Sequence, residues 1–214
     1  MGNDMKLYDF GFSSAAYRVR IALNLKGIPY DRVNIDLVKN GGEQHSASFK
    51  AVNPQELIPA LETDGTVLAQ SLAIIEYLDE THIEPRLLPT YPVERARVRQ
   101  IAYAIACDIH PINNLSSRQL LKQMGHSDEE IMQKWYAHWI QKGFTALETL
   151  LSQSKDTGTF CHGETPTLAD ICLVPQMANA YRFKVPVDAF PTLVRIDKAC
   201  RELPAFAAAA PELN

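Results

Sequence analysis

The 214-residue sequence predicts a small α/β domain followed by an all-α domain. Three observations predict this order. Strand and helix patterns alternate in the first part of the chain, an Asp-Gly turn joins two apolar runs at 57–69, and helical periodicity dominates from Val93 onward. The proline-rich stretch Pro85–Pro92 is typical of a linker. We therefore expect domains at residues 5–86 and 93–214.

The first domain begins with a strand–helix–strand pattern. Met5–Phe10 is short and apolar enough for a strand, and a helix follows the loop Gly11–Ser14 and stops at Gly27. Tyr30–Leu37 has the alternating character of a second strand. A crossover of this length predicts that the two strands are parallel.

The rest of this domain has the pattern strand, strand, helix. Leu57–Leu61 and Thr66–Ala69 are joined by Asp64-Gly65, which predicts a β-hairpin. Gln70-Ser71 then opens a helix that runs to about Glu80. The predicted order of the domain is therefore βαβ, a linker and ββα.

Four segments beyond the interdomain linker have helical periodicity. They are Val93–Ile109, Ser127–Ser152, Leu168–Phe183 and Thr192–Arg201. Pro111 should kink the first helix of this domain or end its regular hydrogen bonding. Thr167 and Asp170 have the spacing of a helix-capping box, which we interpret as a folding signal.

Composition argues against several classes of function. The formal net charge of -4 and the lack of a Lys/Arg block argue against a nucleic-acid binder. No apolar run approaches the roughly 20 residues of a membrane span, and the N-terminus lacks a secretory signal pattern. Cys107 with His110 gives too few ligands for a metal site. We therefore expect a globular cytoplasmic protein, in which Met1–Asp4 forms an extension before Met5.

Six segments, spread over essentially the whole chain, resemble glutathione transferases of the zeta class. They read SSAAYRVRIALNLKG, NPQELIPAL, QSLAIIEYL, CDIHPINNL, TPTLADICLVPQ and RFKV. The class includes maleylacetoacetate isomerases and a relative, the glutathione-dependent maleylpyruvate isomerase. The resemblance implies a thioredoxin-like N-terminal domain, an all-α C-terminal domain, glutathione as the cofactor, a small acidic substrate and a homodimer.

The sequence departs from the class pattern at three places. The class signature reads Ser-Ser-Cys, and Ala15 replaces the cysteine here, which excludes a protein-cysteine nucleophile in this loop. Many members carry an arginine where this chain has Phe12. Leu115 and Ser116 stand where maleylpyruvate isomerase has two arginines, and Leu-Ser is closer to the maleylacetoacetate isomerases.

Ser13 and Ser14 precede a helix, where free backbone N–H groups and the helix dipole stabilise negative charge. A plain N-cap is the ordinary interpretation of such a pair. The resemblance favours contacts with the glutathione thiolate, whose free pKa of about 8.5 a hydroxyl donor and the helix end would lower. We expect Ser13 to be the main contact, because it is nearer the loop, and Ser14 to assist and to serve mainly as the cap.

The resemblance implies further glutathione contacts in the first domain. Pro59 would be cis, leaving Ile58 free to pair with the cysteinyl backbone of glutathione; without the resemblance it would be an edge-strand proline. Gln70 and Ser71 would open a helix that binds the γ-glutamyl carboxylate, or would only cap that helix. His45 would contact the glycyl carboxylate, although a lone loop histidine is usually only solvated.

The resemblance also implies roles for residues of the second domain. His110 and Asn114, with Leu115 and Ser116, would line the cleft for glutathione and substrate. Asp108 would reach the γ-glutamyl ammonium bound by the partner subunit. The alternative is a buried polar cluster that fixes a kinked helix.

Arg182 is the best remaining candidate for binding a substrate carboxylate, because a guanidinium can hold one in a bidentate fork. An isolated surface arginine is the alternative. Arg18 and Arg20 lie two positions apart on the first helix and point apart. We expect one of them to pair structurally and neither to be catalytic.

The resemblance implies a glutathione-dependent cis–trans isomerase that converts maleylacetoacetate into fumarylacetoacetate in aromatic amino-acid breakdown. The thiolate would add to the cis double bond, allow rotation and leave again, so that glutathione is regenerated. Two alternatives stay open: a broad glutathione transferase or dehalogenase of α-halo acids, and a non-catalytic glutathione-binding subunit. The set Ser13, Pro59, Gln70 and Ser71 weighs against the last.

Overall fold

The computed structural model describes residues 5–211. The extension Met1–Asp4 and the last three residues of the second predicted domain lie outside this range. The chain through Arg86, together with the segment from Leu203, forms one compact unit, and Leu87–Glu202 form the other.

A mixed four-stranded sheet lies at the centre of the first unit. Its strands are β1 (Lys6–Asp9), β2 (Asp31–Asn34), β3 (Ala60–Thr63) and β4 (Thr66–Ala69). The spatial order is β2-β1-β3-β4, with β1 parallel to β2 and the other pairs antiparallel. The predicted βαβ start and the parallel pairing are therefore confirmed, although β3 begins three residues later than expected.

The hairpin between β3 and β4 has the turn that its sequence predicts. Asp64 and Gly65 both have positive φ angles, of 49° and 71°, and Thr63 pairs with Thr66 across the turn. Positive φ at both central residues gives a turn whose twist matches that of the strands, and Asp-Gly adopts it readily. The hairpin prediction is confirmed.

Three helices of this unit are α1 (Ser14–Leu25), α2 (Ala47–Val52) and α3 (Ser71–Thr81). The first and third were predicted from the sequence. The second was not, because it is short and lies in the connection between β2 and β3. Ser46 caps it by accepting a hydrogen bond from the Phe49 N–H at 3.2 Å, and the buried Phe49 ring anchors it.

The second unit is helical throughout its regular structure. Its helices are α4 (Pro92–Tyr103), α5 (His110–Asn113), α6 (Leu115–Gln123), α7 (Asp128–Glu130), α8 (Ala137–Ser152), α9 (Leu168–Arg182) and α10 (Pro191–Arg201). Two π-helical segments, Ala104–Ile109 and Ile131–Tyr136, join α4 to α5 and α7 to α8. Helix α6, which has no buried residue, was not predicted.

The wide π-helical turns end just before Pro111. The His110 N–H donates to the Ile105 carbonyl, five residues back rather than four. Because proline lacks an N–H and its ring crowds the preceding turn, the regular ladder cannot pass through Pro111 unchanged. The predicted interruption is confirmed.

The capping box at the start of α9 is also confirmed. Asp170 Oδ2 accepts hydrogen bonds from the backbone N–H and the hydroxyl of Thr167, at 2.8 and 2.9 Å. Its other oxygen accepts from the Cys161 N–H at 2.8 Å. These bonds stabilise the helix start and tie it to the preceding loop.

The chain after Glu202 differs from the prediction of a helical domain that continues through residue 214. Pro204–Ala209 forms α11 and packs on α1 within the first unit. Phe206 is fully buried there, and Asn24 Nδ2 donates to the Ala205 carbonyl at 3.0 Å. Burial of the Phe206 side chain against α1, a contact between distant parts of the chain, favours this placement.

Candidate active site

Ser13 and Ser14 lie where β1 leads into α1, and the structure separates their roles. Ser13 is the N-cap, because its Oγ accepts a hydrogen bond from the Ala16 N–H at 3.2 Å. The expectation that Ser14 is mainly the cap is therefore wrong; Ser14 is the first helical residue and is buried. A hydroxyl that accepts one hydrogen bond can still donate its own proton. Ser13 thus keeps a donor beside the free N–H groups of α1.

Arg20 holds the loop that carries these serines. Its guanidinium is buried and donates to Asp9 Oδ1 at 2.5 Å, to the Gly11 carbonyl at 3.0 Å and to the Ala209 carbonyl at 2.9 Å. Burial lowers the pKa of Arg20, and the negative charge of Asp9 opposes this change. The expected structural pairing of one of the two helix arginines is thereby found for Arg20.

Pro59 immediately precedes β3, and the peptide bond between Ile58 and Pro59 is cis, as predicted. The alternative of an edge-strand proline does not apply, since β3 lies between β1 and β4. In the part of the chain that the structure describes, neither main-chain polar group of Ile58 has a hydrogen-bond partner. These groups could pair with an extended peptide-like ligand.

Gln70 and Ser71 form the start of α3. The backbone of Gln70 has a φ of 70°, and its side chain bonds to Gln55 at 2.9 Å rather than capping the helix. Ser71 Oγ accepts a hydrogen bond from Arg18 Nη1 at 3.3 Å, and both residues are buried. The start of α3 therefore combines free N–H groups with a nearby guanidinium, which favours an anion. Sequence reasoning missed the contribution of Arg18, whose only signal was an arginine within an apolar helix.

His45 lies in a short turn and is exposed, but it is not simply solvated. Its Nδ1 lies 2.5 Å from Glu56 Oε2, and Lys50 Nζ lies 3.1 Å from the other oxygen of Glu56. The hydrogen bond with His45, followed by that with Lys50, lowers the pKa of Glu56. A carboxylate ligand at His45 would therefore meet Glu56 as a competing anion, with Lys50 as a second cation.

The predicted residues Asp108, His110 and Asn114 lie in three consecutive parts of the second unit. Asp108 is exposed in the π-helical segment and borders a groove of about 470 Å³, which is also lined by Cys107, Trp139 and Lys142. His110 is half-buried at the start of α5. Asn114 caps α6 by accepting from the Leu115 N–H at 2.7 Å.

The predicted site residues are divided between the two units. The structure brings Ser13, Ser14 and Pro59 to one unit, together with the start of α3 and His45. Leu115 and Ser116 are the first residues of α6, and Arg182 ends α9 in the other unit. The side chain of Asn114 caps a helix, which supports a structural role for that residue.

Arg182 belongs to a cluster with Phe183, Tyr136 and Arg118. The guanidinium of Arg182 lies 5.2 Å from the centroid of the Phe183 ring. That of Arg118 lies 5.2 Å from the same centroid and 5.7 Å from the Tyr136 ring. Burial lowers the pKa of Arg118, Tyr136 opposes this change, and the charge of Arg182 lowers the pKa further. Sequence reasoning did not find Arg118.

Among residues 5–211, no group of three or more His, Cys, Asp and Glu side chains could hold a metal ion. No helix in that range combines the length and the apolar character needed to cross a membrane.

Both parts of the chain match families of known proteins. A family model described as glutathione S-transferase, N-terminal domain, matches residues 7–86, and one described as glutathione S-transferase, C-terminal domain, matches residues 133–186. A probable maleylacetoacetate isomerase of Vibrio cholerae is 52% identical over 96% of this chain and 95% of its own.

Solved structures of isomerases are also similar to nearly the whole chain. The holo structure of a bacterial zeta-class maleyl pyruvate isomerase is 47% identical, covers 96% of both chains and has a TM-score of 0.92. A maleylacetoacetate isomerase from Methylobacterium extorquens, with bound malonate and glutathione, is 42% identical with the same coverage and TM-score.

Proposed function

Because the chain belongs to the glutathione S-transferase family, in the group of maleylacetoacetate and maleylpyruvate isomerases, we propose that it isomerises maleylacetoacetate to fumarylacetoacetate with glutathione as the cofactor. The observation that carries the proposal is the serine pair at the start of α1, in a chain that is 52% identical to a probable maleylacetoacetate isomerase over nearly its whole length.

The residues of the first unit fit glutathione. The start of α3, with Ser71 and the buried Arg18, would bind the γ-glutamyl carboxylate. The unpaired main chain of Ile58 would pair with the cysteinyl backbone. His45, with Lys50 nearby, would contact the glycyl carboxylate. Both carboxylates and the cysteinyl backbone of the tripeptide thus have a chemically matched partner in this unit.

Bound glutathione supplies a thiolate that can add to the cis double bond and leave it again. The Ser13 hydroxyl would donate a hydrogen bond to the sulfur, and the N-terminal dipole of α1 would favour the charged form. Ser14 would assist from the first turn of the helix. Both effects lower the pKa of the thiol, so that more thiolate is present at neutral pH.

The second unit would contribute the contacts to the substrate. Arg182 would bind a substrate carboxylate. His110, Leu115 and Ser116 would be lining residues, and Asn114 would act mainly by capping α6.

We also propose that the protein is a cytoplasmic homodimer. Asp108 would reach the γ-glutamyl ammonium bound by the partner subunit. Its exposed position beside the groove of the second unit supports such a contact.

A coupled assay that compares maleylacetoacetate, maleylpyruvate and dichloroacetate tests the proposal. We expect turnover of maleylacetoacetate to be the fastest. Faster turnover of dichloroacetate would favour the dehalogenase alternative. Tight retention of glutathione without turnover of any of the three would favour a binding subunit.

A further inference from the structure

The guanidinium of Arg118 differs from those of Arg97 and Arg201, two other half-buried arginines of the second unit that have polar partners. Arg201 is paired with Asp197 at 2.8 Å, and Arg97 donates to the Cys161 carbonyl at 2.8 Å and to Thr157 at 2.9 Å. Arg118 is half-buried and has a fully buried Nε without a hydrogen-bond partner. Within residues 5–211 its guanidinium forms neither a hydrogen bond nor an ion pair.

A partly buried guanidinium without a hydrogen-bond acceptor is unfavourable in the protein without a ligand. A partly desolvated guanidinium has five N–H donors and normally pairs with a carboxylate or with carbonyl groups. The Tyr136 and Phe183 rings attract its charge, but an aromatic ring does not replace the carboxylate or carbonyl acceptors of a guanidinium. The nearby Arg182 adds repulsion, and its charge contributes to the lowered pKa of Arg118.

The geometry suits an anion with two charged ends. Both guanidinium carbons lie 5.2 Å from the centroid of the Phe183 ring, so they are no further apart than twice that distance. Two carboxylates of one short molecule can therefore reach one arginine each. Planar guanidinium groups bind carboxylates through paired N–H donors, and Phe183 keeps both groups oriented.

We propose that Arg118 and Arg182 form a clamp for a dicarboxylate, in which each guanidinium binds one carboxylate of the same ligand. This inference rests on the proposed function, since it names Arg118 as a second determinant of substrate charge. It concerns ligand binding, so it can be tested apart from catalysis.

The test is calorimetric titration of the protein, with glutathione in excess, against succinate and monomethyl succinate. Succinate has no double bond, so a thiol cannot add to it. We expect the wild type to prefer the diacid to the monoester by at least about tenfold, because one charge-assisted contact is lost in the ester. Arg118→Met and Arg182→Met should each reduce this preference to within about twofold.

Lys122→Met is the matched control. Lys122 lies on α6 like Arg118, but it is exposed and paired with Asp128, so its loss should leave the preference unchanged. Thermal melting of each variant verifies folding. The clamp would be overturned if the wild type showed no preference for the diacid. It would also be overturned if Arg118→Met kept the preference, including the case in which its affinity for both ligands fell by the same factor. An intact clamp in a protein without isomerase activity would refute the proposed function alone.

Discussion

One oxygen atom of Ser13 serves two purposes in the proposed site. It accepts a hydrogen bond from the Ala16 N–H and so caps α1, and the same hydroxyl would donate a hydrogen bond to the glutathione sulfur. Alanine at this position removes both functions at once. Glycine removes the hydroxyl but is itself a tolerated N-cap, so the two substitutions separate folding from thiol activation.

We expect Ser13→Ala to lower the free energy of unfolding by about 1 kcal/mol and Ser13→Gly by only a few tenths. Both variants should raise the pKa of bound glutathione and move the rise of activity to higher pH. Ser14→Ala should change the thiol pKa and the activity less. Ultraviolet titration of the thiolate and urea unfolding measure the two effects. An unchanged thiol pKa in both Ser13 variants would remove this residue from the mechanism.

Arg182→Ala should lower the turnover of acidic substrates at least about tenfold, which corresponds to about 1.5–3 kcal/mol for a lost charge-assisted contact. Glutathione affinity and the turnover of the neutral electrophile chlorodinitrobenzene should change little. Steady-state kinetics with both substrate types measure this difference. An equal fall for acidic and neutral substrates, or no fall for either, would show that Arg182 is structural.

At the scale of elements, α11 supports the loop that carries Ser13. Phe206 is buried against α1, and the Ala209 carbonyl accepts a hydrogen bond from Arg20, which also holds Gly11. A loss of α11 packing should therefore affect both stability and the position of the serine loop.

We expect Phe206→Ala to lower the free energy of unfolding by about 3–5 kcal/mol, because a fully buried ring is replaced by a cavity. Leu120→Ala is the control, since this exposed side chain on α6 should change stability by no more than about 0.5 kcal/mol. Urea unfolding of the two variants measures both values. A loss of less than about 1 kcal/mol in Phe206→Ala would contradict the importance of α11 packing.

Local signals made much of the fold predictable. The Asp64-Gly65 turn and the Thr167 capping box each depend on residues within a few positions of one another, and both were predicted. Helix α2 was missed because it is short, α6 because it has no buried residue, and α11 because the contacts that stabilise it are made with α1, far away in the sequence.

The site residues that belong to recognisable sequence motifs could be predicted. The serine pair and the cis bond before Pro59 followed from the resemblance to a family. The identity of the cap depended on backbone angles that differ between two adjacent serines. Arg118 was missed, because its environment is formed by Tyr136 and Phe183, which come later in the chain.

At the scale of the whole molecule, the proposed assembly is a homodimer. Val93 and Tyr103 are exposed apolar side chains on α4, and Asp108 lies on the π-helical segment that follows. Light scattering at micromolar concentration should give twice the mass of the chain. Asp108→Asn should keep that mass but weaken glutathione binding, because one charge facing the ammonium is lost. A monomeric mass would contradict the assembly.

The most direct test of the proposed isomerase is the stoichiometry of glutathione during turnover of maleylacetoacetate. With substrate in large excess over glutathione, we expect full conversion to fumarylacetoacetate and complete recovery of free glutathione at the end. Consumption of one glutathione for each substrate, or a reaction that stops when glutathione is exhausted, would show a transferase rather than an isomerase.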